Sequence, residues 1–331
     1  MKKIFLMLLI FLCLTGCGKF TEKDAINSLS NKIKDSKGYR IVGELELWKN
    51  ETKYTYDVES SYKKDDKFKV SLTNKTNNHE QIILKNEEGV YVLTPSLNKS
   101  FKFQSEWPYN NSQVYLLQPL LNDINADSNK KFEEKNNNYV FTTQVEYAND
   151  KNLTTQKVYF DKDMNLIKVE VIDKNNNVQM KFTVTEIDFK AKFDDNYFSV
   201  NLNIENSENT NDNSDQTTSV LEENLYPMYV PTDTYLTSQD KLLTENGERL
   251  ILTFSGESPF TIIQETSNNK SLVTDYVYGD PCMILDTVGA LTDYSITWNS
   301  KGLDYYVISD TMNVDELITV AESMNVQSVS K

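Results

Sequence analysis

The chain of 331 residues is acidic, with 49 Asp and Glu against 34 Lys and Arg, a formal charge of −15 and a single histidine. That balance argues against nucleic acid as a partner, since affinity for phosphate backbones rests on clustered cations. One histidine also rules out a His-rich zinc site.

The N-terminus reads MKKIFLMLLIFLCLTGCGK. Two lysines, an apolar run from Ile4 to Leu14 and small residues before a cysteine are the three regions of a secretory leader. The run is shorter than the roughly 20 apolar residues that a spanning helix needs. Leu14 to Cys17, LTGC, resembles the bacterial lipobox. The resemblance implies that residues 1–16 are a leader, that Cys17 receives a covalent diacylglycerol, and that 17–20 tether the chain to the extracytoplasmic face of the cell membrane. No other cofactor is expected. Cys13 leaves with the leader and Cys17 carries lipid, so Cys282 is left as the thiol of the mature chain and no intramolecular disulfide can form. Its setting, YGDPCMILD, reads as that of a small buried hydrophobe. Two arginines, Arg40 and Arg249, against abundant Asn, Lys, Ile and Tyr suggest a low-GC Gram-positive source.

In the first unit, 21–202, Thr21 and Asp24 are placed to cap a helix whose apolar stripe is Ala25, Ile26, Leu29 and Ile33, ending near Gly38. Short alternating runs follow at Tyr39–Trp48, Lys53–Tyr62, Phe68–Thr73, Glu80–Lys85, Val90–Thr94 and Phe101–Phe103, then at Tyr139–Tyr147, Thr155–Asp161, Leu166–Asp173 and Val178–Phe189. Asn-, Asp- and Lys-rich turns between them predict an antiparallel meander, with too many strands to stay flat. Between the two sets, Val114, Leu117, Leu120, Leu121 and Ile124 have helical spacing, with Pro119 expected to break or kink the helix. Trp107, Tyr109, Tyr115 and Leu116 exceed what one helix face needs. Two readings stand: the segment completes the core, or it forms a movable lid over an apolar cavity. In the second reading Trp107, Tyr115, Leu116, Leu117, Leu120 and Leu121 line a groove for a ligand or partner.

The order of these elements, with GYRIVGELEL near the start and DKDMNLIKVEV near the end, resembles the superfamily of the lipoprotein-localisation factor LolA and the related LppX and RseB domains. The resemblance spans roughly 20–200 and implies a curled antiparallel half-barrel of ten or eleven strands closed by helices. The stretch from Asn86 to Leu121 is more closely similar to clostridial and bacillar lipoproteins of the YdcC and GerS type, linked to sporulation and germination.

Residues 203–223, NIENSENTNDNSDQTTSVLEE, are mostly polar and predict a disordered linker. The second unit, 224–331, carries strand-like runs at Arg249–Phe254, Phe260–Glu265, Val273–Tyr278, Tyr294–Trp298 and Tyr305–Ser309. Asn313 and Glu316 then offer a capping box to a helix with Val314, Leu317, Ile318, Ala321 and Met324 on one face. A small α+β domain follows. It resembles a domain at the C-terminus of Firmicute lipoproteins and extracytoplasmic anti-sigma proteins.

No GxSxG, phosphate loop or dinucleotide fingerprint is present. His79, in KTNNHEQ, reads as a solvated turn residue, and acidic pairs such as Asp65-Asp66 and Glu87-Glu88 sit in turns, where solvation alone places them. The expectation is therefore a non-enzymatic, membrane-anchored scaffold or activator of the cell envelope, with an amidase-type protein partner implied by the GerS resemblance. The alternative is a carrier or sensor that holds an acyl chain, lipoprotein or apolar peptide in the concave face.

Overall fold

The computed structural model describes residues 19–49, 52–110, 112–147, 150–208, 225–267 and 273–324. Helix α1 (Glu22–Asp35) begins at the expected capping box: Thr21 Oγ1 accepts from the Asp24 amide at 3.2 Å, and Asp24 Oδ2 accepts from the Thr21 amide at 3.0 Å. Six strands follow, β1 (Gly38–Lys49), β2 (Thr52–Lys63), β3 (Lys67–Asn74), β4 (Glu80–Asn86), β5 (Gly89–Thr94) and β6 (Lys99–Phe103). After helix α2 (Leu117–Ala126) come β7 (Lys131–Lys135), β8 (Asn138–Gln144), β9 (Leu153–Phe160), β10 (Leu166–Asp173), β11 (Val178–Asp188) and helix α3 (Val200–Glu208).

Strand β3 shows why these runs form a half-buried sheet. Phe68, Val70 and Leu72 alternate inward with polar residues outward, the period of two that a pleated strand imposes. The meander closes by pairing β1 with β11, at a bulge between Val42 and Gly43. Gly43 is needed there because a Cβ would lie 2.5 Å from the Thr183 carbonyl oxygen and 2.7 Å from the Phe182 ring. The concave face is covered by α1, α2 and their core, including Leu29, Leu116, Leu117, Leu120 and Ile124.

Pro119 neither breaks nor kinks α2. Leu116 is the N-cap, so Pro119 falls in the first turn, where its missing N–H has no intrahelical partner to lose. The Leu117 amide instead donates to Tyr39 Oη at 3.2 Å, and that hydroxyl donates to Gln118 Oε1 at 2.6 Å. Residues 107–110 and 112–116 are not helical.

On the convex face Ile204 of α3 and Phe198 just before it pack against Ile82, Leu84, Tyr91 and Leu93, which is why β4 and β5 are apolar on both sides. This moves the expected linker boundary. The chain stays helical to Glu208, and Asn203 Nδ2 donates to the Tyr197 and Ser199 carbonyls at 3.0 and 2.7 Å. The remainder of the expected linker, 209–223, lies outside the described residues.

The second unit contains β12 (Thr234–Thr244), β13 (Gly247–Gly256), β14 (Phe260–Thr266), β15 (Val273–Val277), β16 (Asp280–Ile284), β17 (Thr287–Leu291), β18 (Ser295–Ser300), β19 (Leu303–Ile308) and helix α4 (Val314–Ser323). Seven of these strands form a second sheet in the order β12-β13-β14-β19-β18-β17-β16. Helix α4 packs Leu317, Ile318 and Ala321 on a core with Leu252, Ile262 and Val307.

The unit is not the separate small domain that the linker suggested, because β15 leaves it to pair parallel with β6, making a twelfth strand of the first sheet. Val288 and Ala290 of β17 join the first core. Gln81, buried on β4, treats β17 as a neighbouring strand: its Nε2 donates to the Val288 carbonyl at 2.9 Å and its Oε1 accepts from the Val288 amide at 2.5 Å and from Thr287 Oγ1 at 3.0 Å. Lys99 of β6 and Asp304 of β19 form a buried ion pair. Lys49 of β1 reaches Asp150 and Glu322, each at 3.2 Å. Burial opposes the Lys49 charge, but Glu322 and Asp150 outweigh it and hold the ammonium pKa above its ordinary value.

Candidate functional site

The junction of the two units forms a partly open cavity of about 380 Å³. Its floor is the concave face of the first sheet, supplied by Leu45 and Leu47 of β1, Ile83 of β4 and Met180 of β11. Strand alternation puts these side chains on one face. Trp107 and the segment from Ser112 to Tyr115 form one wall, held by Ser60 Oγ donating to the Tyr115 carbonyl at 2.7 Å. The opposite wall is the second unit: Tyr278 to Met283, Val288, Leu291 and Val314. Asp280 ties these walls together at the rim, accepting from Ser105 Oγ at 2.5 Å and from Asn110 Nδ2 at 2.6 Å.

The lining is mostly aliphatic, aromatic and thioether, suited to an apolar guest of a few hundred Å³. Tyr147 supplies a buried phenol at the inner end. Burial pushes its pKa upward, with the Asp123 charge adding to the effect, so it remains a neutral hydroxyl at physiological pH.

Beside this cavity a second, more polar groove of about 440 Å³ follows α2, lined by Tyr109, Asn110, Asn122, Asp123, Asp127 and Glu146 among others. Ser112 lines both. Burial raises the Asp123 carboxyl pKa, although hydrogen bonds from Ser112 and Gln156 partly offset it.

Of the six groove residues read from the sequence, the structure brings Trp107 and Tyr115 to the junction cavity. Leu116, Leu117 and Leu120 are fully buried in the core beneath α2, and Leu121 is partly buried against it. What closes the cavity is segment 107–115 together with the second unit, not helix α2. Sequence reasoning missed Tyr278 to Met283, Val288 and Leu291. Their signal was the apolar stretch after YGDP, where Cys282 is buried as expected and lines the cavity.

His79 is not the freely solvated residue expected: its Nε2 is buried with no hydrogen-bond partner. Burial lowers its pKa, with Asp286 and Glu80 opposing. Among the described residues no group of three or more His, Cys, Asp or Glu side chains could hold a metal ion. No described helix is long and apolar enough to cross a membrane. Cys17 lies outside the described residues.

No family model matches the chain. The sporulation protein YdcC of Bacillus subtilis (strain 168) is 36% identical over 327 residues, 97% of this chain and 95% of that protein. Among solved structures, the Pseudomonas aeruginosa MucA/MucB complex contains a chain similar at 10% identity and a TM-score of 0.35, covering 90% of this chain and 98% of that one. The structure of the CwlD amidase from Clostridioides difficile in complex with the GerS lipoprotein contains a chain similar at 16% identity and a TM-score of 0.30, covering 54% of this chain and 100% of that one. A LolA superfamily protein from Nitrosomonas europaea gives 11% and 0.30, covering 54% and 98%. It is the sequence identity, sustained across both units and nearly the whole of each protein, that assigns the chain: it belongs to the family of the sporulation protein YdcC.

Proposed function

We propose that this protein is a membrane-tethered, non-catalytic envelope protein of the sporulating cell that holds an apolar ligand in the cavity between its two units. The observation that carries the reading is the cavity itself, apolar on its floor, with Lys151, Asp280 and Asp293 among otherwise mostly apolar walls, and built jointly by the first sheet, Trp107, Ser112 to Tyr115 and the edge of the second sheet. Kinship with a protein named for sporulation supports the cellular setting. The lipobox-like LTGC supports an anchor through diacylated Cys17 on the extracytoplasmic face. Extraction of the purified protein followed by mass spectrometry of the bound small molecules tests the reading. A stoichiometric apolar compound, lost on Leu47→Asp in a variant that still folds, is the expected result. Protein that carries no apolar compound and takes up none would refute it.

A second reading, a scaffold or activator for an envelope enzyme such as a cortex-modifying amidase, is favoured by strand β12. It is the edge of the second sheet, and Tyr235, Leu236, Leu242 and Leu243 are exposed on it. Unpaired strand edges with apolar side chains are ready templates for another chain. Pull-down from sporulating cells with wild type and a Leu243→Lys variant separates the two readings, since that change is remote from the cavity lining.

A further inference from the structure

We propose that the junction cavity takes an amphiphile with a primary-ammonium head, seated where Ser112 divides the apolar cavity from the acidic groove along α2. The inference rests on the ligand-holding reading above and adds the chemistry of the head group.

Two independent features meet at this point. The first is the charge of the groove. Asp123, Asp127 and Glu146 line it, and no lysine or arginine does. Carboxylates facing one concavity without a cation repel an anionic head, and that repulsion is stronger where low-dielectric walls limit screening.

The second is a set of buried oxygens lacking partners. Tyr147 Oη, Thr143 Oγ1 and Gln156 Oε1 have no hydrogen-bond partner, and their residues are 7%, 1% and 0% exposed; Tyr147 lines the cavity, while Thr143 and Gln156 lie behind the lining of both concavities. Thr143 and Gln156 are directly opposite on β8 and β9. Gln156 Nε2 donates to Asp123 Oδ2 at 2.8 Å, and Ser112 hydrogen-bonds the same carboxylate. The Tyr147 hydroxyl lines the apolar cavity and couples electrostatically to Asp123. Each unpartnered atom is an oxygen able to accept. An ammonium group offers three donors and no acceptor, which complements a carboxylate and a phenol oxygen. A carboxylate or phosphate head would add acceptors to a cluster already short of donors. A cation beside Asp123 would also relieve the burial that now pushes its pKa up.

The test uses three probes with one tail and different heads: octylammonium, octyl β-D-glucoside and octanoate, each below its micellar concentration at neutral pH. Fluorescence of Trp107, which lines the cavity, reports occupancy in a background with Trp48→Phe and Trp298→Phe. Octylammonium is expected to bind about tenfold more tightly than either other probe. Asp123→Asn should erase most of that preference while octyl glucoside binding holds. Tyr147→Phe should weaken octylammonium several-fold and leave the melting temperature unchanged or raised, because the hydroxyl has no protein partner to lose.

Equal binding of all three probes would overturn the ammonium assignment and leave the apolar cavity standing. Preference for the glucoside or octanoate would overturn it in favour of another head. No binding by any probe would overturn this inference and the ligand-holding reading together. A marked loss of stability in Tyr147→Phe would show the hydroxyl to be structural, which also overturns the assignment.

Discussion

Replacing Asp304 by Asn tests whether the two units stand or fall together. The Lys99 and Asp304 side chains are only 8% and 5% exposed, one on β6 of the first sheet and the other on β19 of the second. The carboxylate also accepts from Ser267 Oγ at 2.6 Å and from Asn299 Nδ2. In Asp304→Asn the shape is kept and part of the hydrogen bonding survives, but the Lys99 ammonium faces a neutral amide inside the protein. Removing one partner of a buried pair costs about 3–5 kcal/mol, because the remaining charge stays desolvated. With a midpoint shift of about 2–4 °C per kcal/mol for a chain of this size, the expected fall is about 6–20 °C. Calorimetry alongside fluorescence of single-tryptophan variants is the assay, with Trp107 kept to report on the first unit or Trp298, stacked on Tyr305 at 5.1 Å, kept to report on the second. One lowered transition seen by both probes is expected. Lys99→Met with Asp304→Leu should recover only part of the loss, because matched apolar groups remove both charge desolvation costs but leave Ser267 and Asn299 without their acceptor. A loss under about 1 kcal/mol, or a second-unit transition separating while the first stays at the wild-type temperature, would refute the shared-body reasoning.

Three further outcomes follow from the same structure. His79 is held neutral by burial, so its folded-state pKa lies below its unfolded value of 6.5. The unfolded chain then binds the extra proton, and the stability from His79 is complete above pH 6.5 and drains as pH falls below it toward the lower folded value. Urea midpoints measured at neutral and mildly acidic pH should fall less in His79→Asn than in wild type; parallel falls would count against the burial argument. Cys17→Ala should shift the protein from the membrane fraction to precursor or soluble forms, because two acyl chains supply about 0.8 kcal/mol per buried methylene. Unchanged fractionation and processing would reject the lipid anchor. Proteolysis within 209–224 should yield two fragments that co-elute on size exclusion, because β15, Gln81 and Lys99 still bind them together; fragments that separate without denaturant would show the junction to be weak.

Strands with strict alternation were legible in the sequence almost to the residue. The expected Phe68–Thr73 run is Lys67–Asn74, and Leu166–Asp173 is unchanged, because one face meets the core and the other water. The strands that escaped notice lack that contrast. Lys131–Lys135 is a charged edge with Phe132 as its one apolar residue, and Thr234–Thr244 is exposed along nearly all its length. Strands Asp280–Ile284 and Thr287–Leu291 are five residues each, and β17 is buried throughout, so periodicity had nothing to register.

The site was only partly legible, for a related reason. Trp107 and Tyr115 stood out as apolar residues surplus to a helix face, and both line the cavity. The leucines of α2 carried the same signal yet fill the core, since local pattern cannot tell which partner buries a side chain. The decisive partner comes from far along the chain: β17 is about two hundred positions after β4, and the contact that sets it there is made by Gln81, a polar residue in a strand that otherwise reads as simple core. One amide satisfying both backbone groups of Val288 fixes the approach of the second unit, and with it the wall that turns an open concave sheet into a walled cavity. A glutamine at the head of an apolar run, Gln81 before Ile82, Ile83 and Leu84, is thus the sequence feature that could have pointed to the junction, because such a group is kept in a core only where it has a partner to satisfy.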